Sequence, residues 1–126
     1  MQTVEIPRAD WRVKLDEFSV AHRGWRVSLE VLDDEAGAQP EIDDLPLVGV
    51  TAEERTGNPE IVISAGARGP DQVTHVIHEP TRVQLEQNDE GADVALEIES
   101  SDNAKAIMRF MSPALPETVD GVPRDF

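Results

Sequence analysis

His75 and His78 share the stretch Thr74-His75-Val76-Ile77-His78-Glu79-Pro80, and acids crowd residues 33–44 at Asp33, Asp34, Glu35, Glu41, Asp43 and Asp44. Imidazole nitrogens take zinc, and carboxylate oxygens take calcium or magnesium. Asp33, Asp34, Glu41, Asp43, Asp44 and His75 are therefore the candidate metal ligands. Their spacing works against a shared ion. Residues three apart on a strand face opposite sides, which sets His75 beside Val73 and Ile77 and turns His78 to solvent. Only a bend at Pro80 would bring the two together. Calcium loops alternate their acids around a glycine, and neither 33–44 nor 87–93 does so. A solvated acidic loop explains both stretches better than a cation site does.

Other chemistry has less to stand on. The chain has no cysteine, which excludes a thiolate nucleophile, a disulfide framework and cysteine-held metals. No serine sits in a Gly-x-Ser-x-Gly elbow. The run Gly66-Ala67-Arg68-Gly69-Pro70-Asp71 has the glycines and the cation of an anion nest. It lacks the phosphate-loop pattern and a following helix, so it reads as a turn between strands. Paired carboxylates for glycoside chemistry need a cleft, which a small chain with 4% aromatic residues hardly builds. The inventory points away from an enzyme and calls for no cofactor.

Charge narrows the partners. There are 26 Asp plus Glu against 11 Lys plus Arg, a net charge of −15. Such a chain repels phosphate backbones and anionic lipid, so neither nucleic acid nor membrane is expected as a partner. Lysine is confined to Lys14 and Lys105, and an acid-rich, lysine-poor surface suits a salt-rich cytoplasm as well as an ordinary one. Leu115-Pro116-Glu117-Thr118 has the look of a wall-sorting signal, but Val119 stands where that signal needs glycine, and no apolar span follows. The opening Met1-Gln2-Thr3-Val4-Glu5-Ile6-Pro7 has no basic cluster leading into an apolar stretch. No run approaches the ~20 apolar residues that cross a bilayer. The expectation is a soluble, cytoplasmic protein.

The elements that must position these residues follow from periodicity. Trp11, Leu15, Phe18 and His22 recur at helical spacing on one face, and Pro7 and Gly24 suit the two ends, which predicts a helix over about 8–23. The segment 25–32 alternates Trp25, Val27, Leu29 and Val31 with Arg26, Ser28 and Glu30, the pattern of a half-buried strand. Further strands are predicted at about 47–55, 60–65, 72–79, 81–87, 93–100 and 104–111. Residues 33–46 read as an acidic loop and 112–126 as an extended arm with three prolines. A loop at Asp102-Asn103-Ala104 would set Glu97 opposite Arg109, Leu96 opposite Phe110 and Ile98 opposite Met108, with one face apolar. Met108, Phe110 and Met111 then serve either the core or a dimer contact.

These segments carry a resemblance. Residues 5–32, the stretch from Thr74 to Glu86, Ala95–Ser100 and Ser112–Gly121 are similar to the recurring segments of a family of small uncharacterised prokaryotic proteins, classed as a domain of unknown function. The similarity spans nearly the whole chain and implies one intact domain, residues 1–126, with the tail as part of it. It implies no activity, cofactor or catalytic residue.

The expected fold is α+β: an N-terminal helix packed on a six- or seven-stranded, mostly antiparallel sheet, either open or curled into a small barrel. A helix before a bent sheet is also the layout of Sm-like RNA binders, but the charge speaks against that use. The leading expectation is a non-enzymatic cytoplasmic protein-interaction or accessory domain, acting on a protein partner or as a homodimer. The rival is a cation-binding module built on the 33–44 acids or His75. A small hydrolase or isomerase without a motif is the third reading.

Overall fold

In the computed structural model, which describes residues 1–55, 57–67 and 71–111, one helix packs on an eight-stranded antiparallel sheet. The elements in chain order are β1 (Gln2–Ile6), a single 3-10 turn (Arg8–Asp10), α1 (Trp11–His22), β2 (Arg26–Asp33), β3 (Gly37–Arg55), β4 (Asn58–Ala65), β5 (Val73–His78), β6 (Pro80–Gln87), β7 (Asp93–Ser100) and β8 (Lys105–Phe110). Across the sheet they run β1-β6-β7-β8-β2-β3-β4-β5. The sheet folds back far enough for β4 to meet β6, yet β1 and β5, its two ends, do not pair. The barrel expectation is corrected to an open sheet, and six or seven strands to eight. The arm at 112–126 and the Arg68 turn lie outside the described residues.

The eighth strand is β1, five residues long, whose short alternation of Val4 and Ile6 gave no separate signal. The stretch 33–46, expected as an acidic loop, is largely strand. Asp33 ends β2, its Oδ1 accepts from the N–H groups of Glu35 and Ala36 at 2.8 and 3.2 Å, and β3 begins at Gly37. The acids from Glu41 to Asp44 are strand residues. β3 reaches its length by changing partners. Its first half pairs with β2 up to Pro46, and its second half pairs with β4 from Leu47 onward. A proline cannot donate to a ladder, so Pro46 suits the changeover, where Asp44 takes a positive φ of 56°.

The helical face behaves as its spacing predicts. Trp11, Leu15, Phe18 and His22 are buried, with Ser19 beside them. Leu15, Leu29, Leu47, Ile61, Leu96 and Met108 are among the fully buried side chains, each stabilising the fold by roughly 1.5–3 kcal/mol. Ser19 stitches α1 to β3. Its hydroxyl oxygen lies 2.8 Å from the carbonyls of Leu15 and Val50 and accepts the Val50 N–H at 2.8 Å.

The last hairpin has the predicted faces and a different register. Leu96 pairs with Met108, Ile98 with Ala106 and Ala95 with Arg109. The turn is Ser101-Asp102-Asn103, closed by the Ser100 N–H on the Ala104 carbonyl at 3.0 Å, with Asn103 at φ 68°. Asparagine tolerates that left-handed conformation better than other non-glycine residues, which fixes the loop one residue earlier. Glu97 therefore faces Ile107 across the ladder and meets Lys105 at 3.5 Å, while Arg109 reaches Glu30 on β2 at 3.6 Å. Met108 and Phe110 lie in the core, and Met111 is half exposed.

Candidate functional site

The predicted ligands come together only in part. His75 is half-buried on the side of β5 that carries Ile77, as its spacing predicts, and its Nδ1 lies 3.8 Å from Glu41 Oε1. His78 faces outward and shares a 2.9 Å hydrogen bond with Glu60. Asp44 takes Arg26 Nε at 2.7 Å, Asp33 caps its turn, and Asp34 and Asp43 are exposed. Asp33, His75 and His78 line one hollow of about 230 Å³ with Asp102. Even so, among the described residues no three His, Asp or Glu side chains are close enough to hold a metal ion.

A different histidine stands out. His22, in the last turn of α1, is 5% exposed. Its Nδ1 donates to the Phe18 carbonyl at 2.8 Å, and its Nε2 lies 2.9 Å from Asp93 Oδ2 at the head of β7. Phe110 stacks on the ring at 4.8 Å, Trp25 meets it edge-on at 4.5 Å, and Phe18 tilts against it at 4.4 Å. A carbonyl and a carboxylate both accept, so the geometry is fully satisfied when both ring nitrogens carry a proton. The ring is enclosed by Phe18, Trp25 and Phe110 and paired with Asp93.

Asp93 is tuned by the same contacts. Burial pushes its carboxyl up. The His22 hydrogen bond, the Gln87 amide donating at 2.9 Å and the His22 charge together outweigh burial and hold it below the usual carboxylate value. The arrangement suits a lock better than a catalyst. A general base needs a free nitrogen, and both nitrogens of His22 are engaged. The hydroxyl of Ser19, the other buried polar group on α1, is spent on β3.

The pair closes one end of a groove of about 400 Å³ between α1 and the strands β1 and β6. Val4, Ile6, Phe18, Ala21 and Leu85 line it, with Glu5, Asp10, Lys14 and Glu17 around it. Val4, opposite Leu85 in the ladder, is 42% exposed. The sequence placed His22 on the buried helical face, but its partner and the groove depend on β6 and β7, far away in the chain. A histidine at the last position of an otherwise apolar stripe was the one available signal.

No helix of the described residues is long and apolar enough to cross a membrane. No solved structure matches the chain. An uncharacterised protein of Aquifex aeolicus (strain VF5) is 28% identical over 116 residues, covering 92% of this chain and 97% of the relative. With residues 2–118 matched by its sequence profile, the chain belongs to DUF5335, a family of unknown function.

Proposed function

We propose that this chain is a non-enzymatic protein-interaction domain of the cytoplasm, and that it binds through the groove between α1 and β1. The observation that carries this is the pairing of a half-exposed apolar floor with a buried His22–Asp93 contact that leaves no imidazole nitrogen for chemistry. Exposed apolar surface rimmed by polar groups is what protein contacts use. Self-association is the weaker form of the reading, because each copy brings a charge of −15 and like fields repel.

The test compares the wild-type chain with Val4→Arg, which puts a cation and bulk on the groove floor, and with Val76→Arg on the opposite edge strand. Each is used as bait in the native host's lysate, and each is run alone by sedimentation velocity. A stoichiometric partner, or a dimer, that is lost in Val4→Arg and kept in Val76→Arg supports the proposal, provided both variants melt with the wild type. A chain that stays monomeric at every concentration and retains nothing overturns it.

A further inference from the structure

Resting on that reading, we infer that the occupant is an extended segment of a partner protein, basic and apolar at alternating positions, which adds to the free edge of β1 as a ninth strand. Among the described residues, β1 is the terminal strand of the sheet and is paired on one side alone, with β6. Every second residue of such a strand presents its N–H and C=O outward, a ready template for another chain. The Trp11 indole donates to the Ile6 carbonyl at 2.8 Å, which closes one end and leaves Gln2–Glu5 as the open stretch.

Two features of the groove choose the chemistry. Strand side chains alternate between faces, so a segment laid along β1 would send every second side chain over Val4 and Leu85 toward Phe18. Apolar residues at those positions would cover the floor. The surroundings are acidic: Glu5, Asp10 and Glu17 outnumber Lys14, which already meets Glu17 at 3.7 Å. Asp93 adds no free charge because His22 and Gln87 occupy it. The intervening positions fall on the other face of β1, where Glu5 projects and Glu86 stands opposite Thr3, so cations there would meet acid, and the charge of −15 would steer them in. The other end strand, β5, borders a smaller hollow of about 230 Å³, where Val31, Val76 and Ile77 are interspersed with Asp33, His75, His78 and Asp102.

The probes are synthetic, fluorescein-labelled peptides added to the full chain: alternating Lys-Val, alternating Lys-Ser, alternating Glu-Val, and Lys-Val with its backbone N-methylated at every second residue. Polarisation gives affinity, and amide shifts give the place. Lys-Val is expected to bind with shifts at residues 2–6 and along α1. The other three peptides, and Lys-Val with Val4→Arg, are expected to bind at least about tenfold more weakly, a loss of the size set by one buried valine. Equal binding of Lys-Ser overturns the inference, since mere attraction to an acidic surface would then suffice. Equal binding of the N-methylated peptide removes the added strand without relying on any variant of the protein. Shifts confined to residues 73–78, or a self-dimer through β1, reject this occupant while leaving the interaction reading intact. If no peptide binds, the inference fails, and the lysate comparison decides the broader reading separately.

Discussion

His22 Nε2 and Asp93 Oδ2 meet at 2.9 Å inside the fold, joining the end of α1 to the start of β7. Between them the two side chains touch α1, β6, β7 and the aromatic rings of Trp25 and Phe110. Removing either partner strands the other. Breaking a buried pair costs about 3–5 kcal/mol, less where water has some access. His22→Ala is expected near that range, and Asp93→Asn, which keeps an acceptor, at about 1–3 kcal/mol. Urea unfolding of both singles and the double variant gives the coupling. A double variant whose cost equals the sum of the singles would show that the contact is not an energetic pair.

Acid should dissolve this contribution. The Asp93 carboxyl is held below its ordinary value of 3.8. Between the lowered value and 3.8 the unfolded chain binds more protons, so stability rises with pH there. The contribution is complete above about pH 5 and is lost as pH falls through the acid range. Asp102, lowered by the Ser100 hydroxyl and the Ala104 N–H, acts in the same direction from the surface. Wild type and Asp93→Asn should therefore converge in stability as pH falls below 3.8, and a gap that widens on acidification would contradict the sign.

Ser19→Ala removes the one side-chain partner of the buried Val50 N–H. An orphaned buried donor costs about 1–3 kcal/mol. The variant should melt lower, and hydrogen exchange should speed up at Val50 while β7 and β8 stay protected.

Gly66 and Gly24 both hold positive φ, at 109° and 89°, yet only Gly66 is crowded. A Cβ on Gly66 would stand 2.5 Å from the Asp71 carbonyl oxygen, and one on Gly24 would meet nothing within 4 Å. Alanine at Gly24 should cost about 1 kcal/mol and at Gly66 about 2 kcal/mol or more, since backbone must shift as well. Equal costs in thermal melts would contradict the crowding.

Divalent ions should stabilise no more than sodium chloride of equal ionic strength. Asp33, Glu41 and Asp44 each already have partners in the turn, in His75 and in Arg26. Screening of the −15 charge is then the whole salt effect. A rise of several degrees with micromolar calcium or zinc would revive the cation-binding reading by linkage.

Local order was legible in the residues themselves. The buried stripe of α1, the alternation of β2 and the positions of β4 through β8 follow from which side chains repeat at 3.6 or 2 residues, a property each segment carries alone. The inward side of His75 and the outward side of His78 belong to the same class. What no segment carries is the identity of its neighbour. β1 is too short to announce itself and exists as a strand because β6 completes it. The acids at 41–44 look like loop until β2 draws them into a ladder. The β7–β8 register turned on Asn103 taking a left-handed conformation, where the alternative kept the same faces and differed only in which residues met. The His22–Asp93 pair and the groove beside it are tertiary in the same sense, because burial energy is local to a face while pairing and desolvated charge depend on what the fold brings opposite it.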